Sequence, residues 1–231
     1  MYASVGRIGM IIPADNAVME PDFYRMAPQG VSTHVARMHK CPRPEMPKAA
    51  LPLAATLVHT RVNMVGYMCA ASSFALGIEG NEALCRDLTE ASGGLPSFTA
   101  TTVMVEALRA VRAKRVSVLS PHPPEIAQLL TRYLEQSGFV VTSMQALGLP
   151  IADINDSTPE QIHAEIRKMN VTGADSIFVA ATNFRAIDVV DAVELETGLP
   201  VVTSNQAAIW KGLALLGFHG GRPGFGRLLQ A

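Results

Sequence analysis

The chain has 231 residues, 48% of them hydrophobic and 17% charged, with a formal net charge of −1. That length can bury a large core, and the balance excludes a disordered chain, a strongly basic nucleic-acid binder and a polybasic membrane-surface protein. Three cysteines, Cys41, Cys69 and Cys85, form no CxxC pair and no metal-ligand spacing, which predicts a reducing, cytoplasmic setting.

The first predicted strand is Val5–Ile12, and the turn after it reads Pro13-Ala-Asp-Asn-Ala-Val-Met-Glu20. Asp15 and Glu20 suit helix capping or contacts between lobes, and Asn16 can offer amide hydrogens to a carboxylate. A second strand, Val31–Met38, carries Ser32, His34 and Ala36 on one face. His34 stands alone there, so a structural role is expected rather than a metal site. Helical periodicity covers Pro47–Thr60. The strand Met64–Cys69 then ends on a sulfur, followed by the very small residues Ala70-Ala-Ser-Ser73. Strand carboxyl ends form the ligand crevice of α/β sheets, which makes Cys69 the first candidate for chemistry. Val62 to Ile78 is uncharged but short for a membrane span, and the N-terminus has no signal-peptide pattern, so neither segment is expected.

Helices are predicted at Glu79–Ala91 and Thr101–Ala113, the latter running into the basic cluster Arg109–Arg115 at a solvated helix end. The strand Arg115–Ser120 leads into Pro121-His-Pro-Pro-Glu125, where prolines hold His122 near the crevice for acid–base work or anion binding. After the helix Pro124–Ser137 come the strand Val140–Met144 and a helix at Thr158–Met169, capped by Ser157 or Thr158. The strand Ser176–Ala180 ends in Ala181-Thr-Asn183, a second turn of small polar residues but without a cysteine. A helix at Arg185–Thr197, a strand at Pro200–Thr203 and a helix at Gln206–Leu216, with Ser204 as its expected cap, complete the chain. Gly138 and Gly198 fall at helix C-caps.

This alternation predicts an α/β fold of two similar Rossmann-like lobes with parallel sheets. Residues 1–100 with 205–231 would form the first lobe and 101–204 the second, with an active site in the cleft between them. Neither GxGxxG, GxxxxGK[ST] nor GxSxG occurs where its chemistry needs it, which argues against nucleotide binding and an α/β-hydrolase.

Taken together, Gly6-Arg-Ile-Gly-Met-Ile-Ile-Pro-Ala-Asp-Asn16 with Glu20-Pro21, Val31-Ser-Thr-His-Val-Ala-Arg-Met38, Tyr67-Met-Cys-Ala-Ala-Ser-Ser-Phe74, Thr101-Thr102, Ala181-Thr-Asn-Phe-Arg185, Pro200-Val-Val-Thr-Ser-Asn-Gln206 and Gly224-Phe-Gly-Arg227 resemble the maleate isomerase and arylmalonate decarboxylase branch of the aspartate/glutamate racemase superfamily. The resemblance spans nearly the whole chain. It implies two Rossmann-like lobes, no cofactor, and cysteines facing each other across a small carboxylate. Carried over, Cys69 is the first-lobe cysteine and Asn16 the carboxylate-binding Asn. His122 stands where the family has a Tyr, and Ala181 where it has the second-lobe cysteine, before Thr182 and Asn183. Ala70 and Ala71 replace hydroxyl residues, leaving only their backbone N–H groups as an oxyanion hole.

Alanine transfers no proton, so two-thiol racemisation does not operate on this sequence. The leading reading is a cofactor-independent isomerase of a small carboxylate or dicarboxylate acting through Cys69, with Ala181 a natural loss or an introduced change. The alternatives are a decarboxylase of a malonate-like diacid with Cys69 as proton donor, and a non-catalytic small-acid binder. A homo-oligomer without nucleic-acid or membrane partners is expected.

Overall fold

The computed structural model describes residues 3–230; residues 1, 2 and 231, at the ends of the expected first lobe, lie outside the described residues. Two four-stranded parallel sheets make up the framework. The first contains β1 (Gly6–Pro13), β2 (Val31–Met38), β3 (Met64–Tyr67) and β4 (Ser97–Thr99), in the order β2-β1-β3-β4. The second repeats that order with β5 (Arg115–Ser120), β6 (Val140–Ala146), β7 (Ser176–Val179) and β8 (Val201–Thr203), as β6-β5-β7-β8. The two-lobed α/β expectation is borne out.

Helices α1 (Met19–Met26), α2 (Met46–Val58), α3 (Ala70–Phe74), α4 (Gly77–Ala91) and α5 (Ala100–Ala110) belong to the first half of the chain. They are followed by α6 (Pro124–Gln136), α7 (Ile151–Asp156), α8 (Pro159–Arg167), α9 (Val190–Thr197) and α10 (Ser204–Leu215). Thr158 caps α8 through a capping box with Gln161, as its sequence predicts. Ser204, however, is the first residue of α10, and Thr203 is the cap, in a second capping box with Gln206. The strand expected to end at Cys69 stops at Tyr67, and Cys69 precedes α3.

Helices α5 and α10 pack on each other between the sheets, with α5 touching β4 and β8, and α10 touching α1 and β3. One buried cluster runs through them from Ile8, Met10 and Phe98 to Val118, Phe178 and Val202. Packing is tight around β3. A Cβ on Gly66 would come within 2.7 Å of both Met10 Sδ and the Phe98 ring. Gly66→Ala therefore overpacks the strand that delivers Cys69 and lowers stability by about 1–3 kcal/mol, readable as a shift in denaturation midpoint.

Candidate active site

In each sheet the chain leaves the two central strands in opposite directions, and that switch point opens a crevice at the strand carboxyl ends. The turns after β1 and β3 carry Asn16 and Cys69. Those after β5 and β7 carry His122 and Ala181–Asn183. All of these residues, with Ala70 and Ala71, line a single cleft of about 520 Å³ to which both sheets contribute. Every residue singled out from the sequence as a site candidate is thus brought to one place.

Direct hydrogen bonds join the two sides. Asn16 Nδ2 donates to Thr182 Oγ1 at 3.0 Å, and the Thr182 hydroxyl donates to the Met68 carbonyl at 3.1 Å, next to Cys69. Asn16 also does the capping expected of Asp15: its Oδ1 accepts from the N–H groups of Val18 and Met19. One amide hydrogen of Asn16 is therefore committed to the protein, and the second is left for the cleft. Asn155 on α7 adds a bridge, donating to the Asp15 carbonyl and accepting from the Ala17 N–H. Arg37 braces the same turn through the Ala14 and Asn16 carbonyls and through Glu20. His34 bonds Ser32 at 3.0 Å, in keeping with a structural role.

Cys69 is partly exposed to the cleft but otherwise enclosed by protein, with its sulfur 3.8 Å from Met46 Sδ. Burial pushes its thiol above the ordinary value, while Ser72 and the positive charge of Arg43 pull partly back. Enclosure thus favours the neutral thiol over the thiolate. Burial and the nearby Arg43 likewise lower His122 to about 4. That favours an uncharged imidazole with one N–H to donate, so an anion would be held there by a hydrogen bond rather than by charge. Ala181 lies across the cleft on the other sheet with a φ of 81°, a left-handed conformation that costs a non-glycine residue roughly 1–2 kcal/mol.

Residues not found from the sequence also line the cleft, chiefly Lys40, Cys41 and Arg43 in the connection from β2 to α2. The signal was present: a basic, proline-flanked segment directly after a strand's carboxyl end. The Arg43 guanidinium has no ion-pair or hydrogen-bond partner among the described residues, and its charge acts on both Cys69 and His122. Apolar side chains, Met46, Ile126, Leu149, Ile151 and Ile154, form another wall. Among the described residues no group of three or more His, Cys, Asp or Glu side chains could hold a metal ion, and no helix is long and apolar enough to cross a membrane.

The family model for arylmalonate decarboxylase matches residues 8–229. Maleate isomerase from Pseudomonas putida strain KT2440 is 27% identical, with 97% of each chain covered. Arylmalonate decarboxylase from Bordetella bronchiseptica is 27% identical over 99% of this chain and 98% of its own. In three dimensions the chain matches a Nocardia farcinica maleate cis-trans isomerase variant, solved with a covalently bound succinylcysteine intermediate, at a TM-score of 0.89 and 24% identity over 97% and 98% of the two chains. The match over nearly all of the sequence and the paired strand-end turns lead to the same conclusion: the chain belongs to the arylmalonate decarboxylase family.

Proposed function

We propose that the protein decarboxylates a malonate-type diacid bearing an apolar substituent, with Cys69 as the single proton donor to the reacting carbon. The observation that carries this reading is the pairing of Cys69 on one side of the cleft with Ala181 on the other. A proton source serves one face of the substrate, and nothing at position 181 serves the opposite face. Burial favours the protonated form of the enclosed Cys69 thiol, the state an acid catalyst needs.

In the proposed reaction the bond to one carboxylate breaks and carbon dioxide leaves. The bonding electron pair passes into an enediolate on the retained carboxylate. The Cys69 S–H then protonates the carbon, and solvent reprotonates the thiolate. The free amide hydrogen of Asn16, the backbone N–H groups of Ala70 and Ala71, Thr182, Asn183 and neutral His122 hold the carboxylates. The apolar wall takes the substituent and destabilises the charged group that departs. A cleft of about 520 Å³ lies within the range of roughly 300–1,000 Å³ used for larger small molecules.

Arg43 is assigned to one carboxylate at the cleft mouth. Arg43→Met raises KM about tenfold with kcat changed little, the size of a charge-assisted hydrogen bond in a solvated position. Steady-state kinetics check this.

Cis–trans isomerisation is the second reading, favoured by the maleate isomerases among the relatives. It needs a thiolate to attack the double bond, which the burial of Cys69 opposes. Parallel assays of phenylmalonate and maleate separate the two. Carbon dioxide release from the first supports decarboxylation. Conversion of maleate to fumarate without it supports isomerisation and defeats the proposal.

A further inference from the structure

Behind the Ala181–Asn183 turn lies a buried polar network that the chemistry above does not use. Asp22 on α1 is 3% exposed, and its Oδ2 accepts from Asn205 Nδ2 at 2.7 Å. The same nitrogen donates to the Thr182 carbonyl at 3.1 Å, which engages both amide hydrogens of Asn205. Asn205 is 1% exposed, and its Oδ1 is buried with no donor among the described residues. Since the Thr182 side chain bonds Asn16 and the Met68 carbonyl, the network fastens α1, α10 and the ends of β3 and β7 together.

An ionised Asp22 has only acceptors to offer and would leave the buried Asn205 oxygen without a protein donor, an arrangement that is costly. A carboxylic acid and a primary amide, by contrast, are complementary, each with a donor and an acceptor. We infer that Asp22 works as a neutral carboxylic acid paired with Asn205, and that this pair is a positioning element that holds the Ala181–Asn183 turn against the cleft.

The charged surroundings fit. Facing Asp22 are Asp188, Arg25 and Arg185, and Asp188 is paired with Arg25 at 2.5 Å and with Arg185 at 3.6 Å. Elsewhere on the packed elements, Glu20 is paired with Arg37, Lys211 of α10 with Glu106, and Arg222 binds the carbonyls of Arg25 and Met26. Burial, opposed by the Asn205 hydrogen bond and aided by Asp188, lifts the Asp22 carboxyl to about 7. The acid form therefore predominates below that pH and gives way above it.

The role assigned to this pair rests on the cleft being the reaction site, so one arm of the test needs no turnover. Carbon-13 NMR of aspartate-labelled protein should show Asp22, identified by its loss in Asp22→Asn, titrating with a midpoint near 7. A midpoint in the ordinary carboxylate range of about 4 overturns the inference, whatever the protein turns over. The second arm measures phenylmalonate decarboxylation against pH. Asn at position 22 offers the same donor and acceptor without titrating, so Asp22→Asn keeps at least about half of the wild-type rate near pH 6 and moves the alkaline fall to higher pH. Asp22→Leu, which fills the space without pairing, loses about tenfold or more at the same pH. A folded Asp22→Asn protein that loses about tenfold near pH 6, or that keeps the wild-type pH profile, contradicts the inference. Absence of wild-type turnover with an Asp22 midpoint near 7 defeats the proposed reaction and leaves the acid–amide pair standing.

Discussion

Replacing Cys69 by alanine lowers decarboxylation of phenylmalonate by about 10³-fold, within the range of 10²–10⁴ that a positioned general acid supplies. That loss corresponds to about 4 kcal/mol of transition-state stabilisation. It falls on kcat rather than KM, because the carboxylate contacts come from Asn16, the α3 amides and Arg43 and stay in place. Cys41 does not rescue the variant. It lines the same cleft but comes from the loop after β2, on the same sheet as Cys69. Product quantification by liquid chromatography, with anaerobic controls for thiol oxidation, measures the effect. A Cys69→Ala protein within about threefold of wild type refutes the assignment.

With α-methyl-α-phenylmalonate as substrate, whose product is chiral, moving the thiol across the cleft changes the product's hand. Cys69→Ala combined with Ala181→Cys moves the strand-end thiol to the second sheet, so the proton reaches the opposite face of the enediolate and the other enantiomer accumulates. The single variant Ala181→Cys has a thiol on each side. A thiol pair can remove a proton on one face and return it on the other, so this variant racemises the α-substituted acid that wild type leaves untouched. Accommodation should be easy in energetic terms. Position 181 already bears a Cβ at a φ of 81°, so the added sulfur introduces no new backbone strain. Retention of wild-type handedness in the double variant contradicts the geometry, as does a rise of orders of magnitude in decarboxylation by Ala181→Cys alone.

Much of the site was legible because its residues sit at the ends of apolar strands, where local pattern and the α/β crevice rule coincide. Cys69, His122 and the Ala181–Asn183 turn were placed that way, and the repeated strand–turn pattern carried the two-lobed fold. What was missed needed tertiary information. β4 is a three-residue edge strand, Ser97–Thr99, with Phe98 its single apolar residue, whereas the equally short β8 is marked by Val201-Val202. α1 contains Pro21 and a mixed polar face and reads as a turn, although Asn16 in fact caps its first N–H groups. The shifts of Cys69 and His122 toward their neutral forms follow chiefly from burial, with Arg43 opposing the first and aiding the second, and local sequence expresses neither. Burial of the thiol is what makes the proposed reaction a decarboxylation, where the sequence puts isomerisation first. The Asp22–Asn205 pair joins positions 183 residues apart, and no window of sequence contains both.

The most direct measurement of the central claim is turnover of α-methyl-α-phenylmalonate, whose decarboxylation product is chiral, by the wild-type protein in D2O, with the product analysed by NMR and chiral chromatography. The account predicts carbon dioxide release, one deuteron at the α-carbon, a single enantiomer, and no further exchange when the isolated product is returned to the protein. A racemic product, or α-hydrogen washout from the isolated acid, would show a proton donor on each face and contradict it.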